Sequence, residues 1–158
     1  MLVPKDWDLG HYHVISRIVD KQRLLGAHEK RHFISFMREY EAFCGVQILT
    51  FCVMANHFHI FLAVPRRPDV LPTAEEVLVK LSHLTVHQDL DRMRAEVEGF
   101  RQRGDVEGEK EWLERQYRRM WSLSAYMKAL KQRFSQWYNS THGREGTLWE
   151  DRFKSVLV

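Results

Sequence analysis

The chain has 158 residues, 44% apolar and 28% charged, with a formal net charge of +3. Those are ordinary values for a single globular domain with enough apolar material to bury a core. They exclude several classes: no apolar run approaches the roughly 18 residues of a membrane helix, and Met1–Asp6 lacks the apolar stretch of a signal peptide. Cys44 and Cys52 show no CxxC spacing, which fits a reduced intracellular protein in which neither has a redox or zinc role.

In chain order, His11–Val19 (HYHVISRIV) is a β-rich run without a breaker, preceded by Gly10 and followed by polar residues. Phe33, Ile34, Phe36, Met37, Tyr40, Phe43 and Cys44 recur at spacings of three and four, the stripe of an amphipathic helix, and Gly45 is placed to end it. Val46–Met54 (VQILTFCVM) has apolar side chains on both faces and predicts a buried strand. Ala55-Asn56 predicts a tight turn, since Asn tolerates the left-handed backbone of such turns. His57–Val64 (HFHIFLAV) then predicts a second strand, closed by Pro65.

Thr73-Ala74-Glu75-Glu76 has the form of a capping box. A long, highly charged helical pattern follows on Val77, Leu78, Leu81, Leu84, Leu90, Met93 and Val97. Gly99 and Gly104 to Gly108 mark a break, and a second helix is expected from about Glu109. Ser122 or Ser124 caps a third, with an inward stripe of Leu123, Met127, Leu130, Phe134 and Trp137. Asn139–Gly146 reads as a turn-rich loop, and Thr147–Val158 resumes strand character. The order β-α-β-β-α-β predicts an α+β, ferredoxin-like sandwich with an antiparallel sheet, as one domain over 1–158, with a helical insertion at about 72–120 before the second core helix.

Charge is unevenly placed. From Trp121 onward six basic residues face three acidic ones, so the rest of the chain sums to zero. The same stretch carries Trp121, Tyr126, Phe134, Trp137, Tyr138, Trp149 and Phe153. Two readings fit: a packed core beneath a solvated cationic face, or a surface for single-stranded nucleic acid, where bases stack and phosphates meet cations. On the second reading Lys128, Lys131, Arg133, Arg144, Arg152 and Lys154 are the candidate DNA contacts.

Chemistry concentrates at His57-Phe58-His59. Strand side chains alternate between faces, so His57 and His59 share one face and can converge on a cation while Phe58 packs into the core. Against this, nine histidines make chance pairs common, and His11-Tyr12-His13 is itself one. Two hydrogen-bonded surface histidines are the competing reading.

Leu49–Leu62 (LTFCVMANHFHIFL) resembles the His-hydrophobic-His block of single-tyrosine HUH transposases, and Gly143–Ser155 (GREGTLWEDRFKS) resembles a second block of their REP-associated branch. Tyr12-His13-Val14 fits that family's first strand. The resemblance covers the first 65 and about the last 30 residues. It implies cleavage and joining of single-stranded DNA through a covalent 5′-phosphotyrosine, which stores the phosphoester energy so that strands are rejoined without ATP. It further implies that His57, His59 and one more polar ligand hold Mg2+ or Mn2+. The implied partner is single-stranded or hairpin DNA, in a cytoplasmic, nucleoid-associated bacterial protein. In such enzymes the tyrosine and third ligand sit on a helix after the strand matching Thr147–Val158. The nucleophile is therefore expected beyond Val158, in a chain truncated at its C-terminus. Tyr126 and Tyr138 are read as packing or base-stacking residues. A non-catalytic DNA-binding module is the first alternative. A metal-dependent hydrolase is a weaker one, since no Asp or Glu adjoins the histidine pair. The final strand, ending Val156-Leu157-Val158, offers an edge for a homodimer.

Overall fold

A computed structural model describes residues 7–158; the reading of Met1–Asp6 lies outside the described residues. Strands β1 (Leu9–Arg17), β2 (Gln47–Val53), β3 (His57–Pro65) and β4 (Lys154–Leu157) form one sheet in the order β2-β3-β1-β4. All pairings are antiparallel. With helices α1 (Ala27–Cys44) and α5 (Leu123–His142), this is the ferredoxin-like β-α-β-β-α-β order expected from the sequence. Helices α2 (Ala74–Leu81), α3 (His87–Gln102) and α4 (Val106–Tyr117) form the insertion.

Among the described residues, the sheet is covered on one side only. Tyr12, Val14, Phe58, Ile60 and Leu62 point under α1 and α5 and are almost fully buried, with Phe33 of α1 and Phe134 of α5 packed above them. Trp149 closes this core from the loop before β4, edge-on to Phe58 and near Phe33 and Phe134. Burying each such side chain contributes about 1.5–3 kcal/mol. Helix α1 ends where expected: Gly45 takes the left-handed conformation (φ 77°), and a Cβ there would meet the Trp121 indole at 3.1 Å.

Several expectations need correction. β2 is an edge strand rather than a strand buried on both faces, with Thr50 and Cys52 exposed and a bulge between Ile48 and Thr50. The expected long helix from Val77 to Val97 is two helices, broken at residues 82–86. The break after it lies at Arg103–Asp105, with Gly104 left-handed, while Gly99 and Gly108 are helical. Asn139–His142 extends α5 instead of opening a loop, because Gly143 supplies the left-handed cap. Strand character after Thr147 is confined to four residues and a bridge between Ile18 and Trp149. Ser122, not Ser124, caps α5, and Thr73 makes its capping box with Glu76.

Candidate metal and DNA site on the open sheet face

The uncovered face is set by strand alternation. Paired residues of antiparallel strands share a face, so the register gives one cross-strand row of Cys52, His59, Ile15 and Lys154. His57 opposes Arg17 in the row at one end, and Thr50, Phe61, His13 and Val156 form the row on the other side. The two histidine rings stand 5.2 Å apart between centroids, nearly perpendicular.

Hydrogen bonds fix how the rings present their nitrogens. Asn56 donates from Nδ2 to the Lys21 carbonyl, which can only accept. Its Oδ1 therefore faces His57 Nδ1 at 2.7 Å as an acceptor, so that nitrogen donates the hydrogen of this bond. The Lys21 carbonyl is delivered by a short 3-10 turn in which Asp20 and Lys21 are both left-handed (φ 53° and 55°). That turn is braced on the β2–β3 connection by bonds from Ile18 N to Asn56 O and from Leu25 N to Ala55 O. The expected reason for Asn56 was wrong in one respect: neither Ala55 nor Asn56 has a positive φ. Its side chain, not its backbone tolerance, is what the turn uses.

His59 is engaged on the opposite strand. Its Nδ1 lies 3.0 Å from His13 Nε2, and the two rings are nearly parallel with centroids 5.2 Å apart. Partial burial first, then the neighbouring His57, His13 and Arg17, hold its pKa below the ordinary histidine value. A neutral imidazole is the form a metal ion binds. The donor set thus fits half of a divalent-cation site: two imidazoles on one face, each with Nδ1 engaged by a neighbouring side chain. Among the described residues no three His, Cys, Asp or Glu side chains converge into a complete metal-holding group.

The six candidate DNA cations do not stay together. Lys128, Lys131 and Arg152 line a cleft of about 820 Å3 between α5 and the loop before β4, with Trp149 and Phe153 in its wall. Lys154 and Arg152 continue into a neighbouring depression with Arg17, which borders the histidine pair. Lys131 is half tied: Nζ donates to the Asp151 carbonyl, and burial lowers its pKa. Arg133 lies away from this cleft, paired with Glu39 at 2.7 Å and stacked over Phe36. Arg144 is spent on the loop itself, donating to Asn139 Oδ1 and the Thr147 carbonyl.

None of the five tyrosines joins the histidine face. Tyr12 points from β1 into the core, Tyr117 and Tyr126 are buried and bond the Pro72 and Met37 carbonyls, and Tyr138 is buried against Phe134. Tyr126 and Tyr138 are therefore packing residues rather than base-stacking platforms. Tyr40 packs beneath Arg133.

The sequence profile described as "Transposase IS200 like" matches residues 7–99, which include β1, β3 and both site histidines. The chain belongs to the IS200-like transposase family. Two solved structures share this transposase fold. One is a REP-associated tyrosine transposase bound to a REP hairpin (TM-score 0.52, 10% identity, 94% of this chain). The other is a candidate transposase from Deinococcus radiodurans R1 (TM-score 0.50, 13% identity, all of this chain and 86% of that one). The chain spans 56% of the length of the REP-associated protein. No curated protein matches the sequence. Among the described residues of this family member, no helix is long and apolar enough to cross a membrane.

Sequence reasoning missed two residues of the face, His13 and Arg17. His11-Tyr12-His13 looked like a chance histidine pair, and Arg17 lay outside the basic C-terminal stretch. The signal was parity: positions 11, 13, 15 and 17 of β1 share one face, and only the β1–β3 register reveals that it is the face of His57 and His59.

Proposed function

We propose that these residues form the single-strand or hairpin DNA-binding surface and the metal half-site of a DNA transposase. His57 and His59 hold a divalent cation, Mg2+ or Mn2+, whose charge would offset that of a scissile phosphate. Lys154, Arg152 and Lys128 carry the DNA backbone toward it. The observation that supports this reading most directly is the register, which sets Arg17 opposite His57 and places Lys154 in the cross-strand row of His59, with Ile15 between them, on the uncovered face of the sheet. Among the described residues, Lys128, Arg152, Lys154 and Arg17 have no carboxylate ion partner, whereas Arg67, Arg101 and Arg115 pair with acids of the insertion.

The placement of the five tyrosines favours a further part of the reading: strand cleavage needs a nucleophile other than these. The 158 residues alone are then a binding module with a half-built catalytic centre. The test is incubation with end-labelled single-stranded and hairpin oligonucleotides in Mn2+. Salt-dependent binding without a denaturation-resistant protein–DNA adduct is expected. An adduct mapping to any of the five tyrosines overturns the assignment of the nucleophile, and salt-insensitive or absent binding overturns the DNA surface.

A further inference from the structure

We propose that His13 is a positioning residue for His59, fixing by one hydrogen bond which ring nitrogen the site histidine presents outward; this rests on the metal half-site proposed above. His13 stands one row along β1 from Ile15, the direct partner of His59, so its ring reaches diagonally across the β1–β3 pair. Its Nε2 meets His59 Nδ1 at 3.0 Å and the two rings are nearly parallel, 14° apart. With the hydrogen on His59 Nδ1, His13 Nε2 is the acceptor and His59 Nε2 holds a free lone pair.

His57 reaches the same state by a different route, through Asn56 and the Lys21 carbonyl. Each site histidine thus has its Nδ1 engaged by a neighbouring side chain, and the two supports come from different parts of the chain. Without such a support an imidazole exchanges tautomers and turns about its side-chain bonds, and metal-binding histidines commonly depend on an outer hydrogen bond for this reason. The geometry distinguishes His13 from His11, whose ring stacks at 6.1 Å on Phe61, away from the pair.

Two substitutions separate the hydrogen bond from the packing. His13→Phe keeps a flat ring against His59 but removes the acceptor; His13→Gln keeps an acceptor at similar reach. The first readout uses metal-free protein: two-dimensional 1H–15N spectra of the imidazoles, which report the tautomer directly. Wild type and His13→Gln are expected to show His59 with Nδ1 protonated, and His13→Phe to lose that state. The second readout is Mn2+ affinity by electron paramagnetic resonance, expected to fall about 10–100-fold in His13→Phe and to recover most of that in His13→Gln. An unchanged His59 tautomer in His13→Phe overturns the proposal, whatever the metal does. If the tautomer shifts as expected while wild type binds no Mn2+, positioning stands and the metal half-site falls. If both variants lose Mn2+ affinity equally with tautomers unchanged, His13 acts through packing alone and the proposal is wrong.

Discussion

Phe58 and His59 are consecutive residues of β3 with opposite surroundings. Phe58 is fully buried beneath α1 and α5, in contact with Phe33 and Trp149, while His59 lies on the uncovered face among His13, His57 and Cys52. The same alternation divides β1 into Tyr12 and Val14 on one side and His11, His13 and Arg17 on the other. One face makes the fold; the other is free to carry chemistry because nothing in the fold requires it to be apolar. An active surface on a strand costs little stability when the strand's other face supplies the packing.

The largest effect that probes this division is a cavity on the covered face. Phe58→Ala should destabilise by about 3–5 kcal/mol, the usual result of deleting a buried aromatic side chain. His59→Ala should change stability by no more than about 1 kcal/mol, since its contacts are partly solvated. Urea titrations of both variants, metal-free, measure the contrast. A loss at His59 as large as that at Phe58 would mean that the open face is structural, and the division would not hold.

A second, smaller effect separates the cations of the open edge from those used by the fold. Lys128→Ala, Arg152→Ala and Lys154→Ala should each reduce the slope of log affinity against log salt by about 0.7 for single-stranded DNA. Arg133→Ala, removing a cation already paired with Glu39, should leave the slope unchanged and cost some stability instead. Equal slope changes for Arg133 and Lys154 would dissolve the distinction between them.

These contrasts explain what could be read from the sequence. The stripe of Phe33, Phe36, Met37, Phe43 and Cys44 and the alternation of His57-Phe58-His59 are local patterns, and local patterns specify helices, strands and which side chains point inward. The element order followed, and with it the ferredoxin-like fold. What escaped is non-local. β2 reads as buried on both sides because its apolar residues do not reveal that it lies at an edge, and the pairing of Arg133 with Glu39 is hidden because it depends on how α5 meets α1. The insertion helices break at residues 82–86 without Gly or Pro, so no punctuation marks the division. His13 and Arg17 became visible as parts of the site only once β1 was laid beside β3.

The smallest expected effect lies in the pH dependence of the open face. Partial burial, followed by the charges of His57, His13 and Arg17, lowers the His59 pKa in the folded protein. In the unfolded chain the ring titrates near its ordinary value of about 6.5. Above that value it is neutral in both states and contributes no pH dependence. As pH falls below it, the unfolded chain takes up a proton that the folded ring resists, so stability declines until the folded ring also protonates. Metal-free wild type should therefore lose more melting temperature between pH 7.5 and 5.5 than His59→Gln, which has no proton to bind there. The difference should be small, because the ring is only partly shielded from water. Phe58→Ala should retain the wild-type pH slope despite its lower melting temperature, provided it still folds. A slope unchanged by His59→Gln would mean that the histidine face is solvated like any other surface.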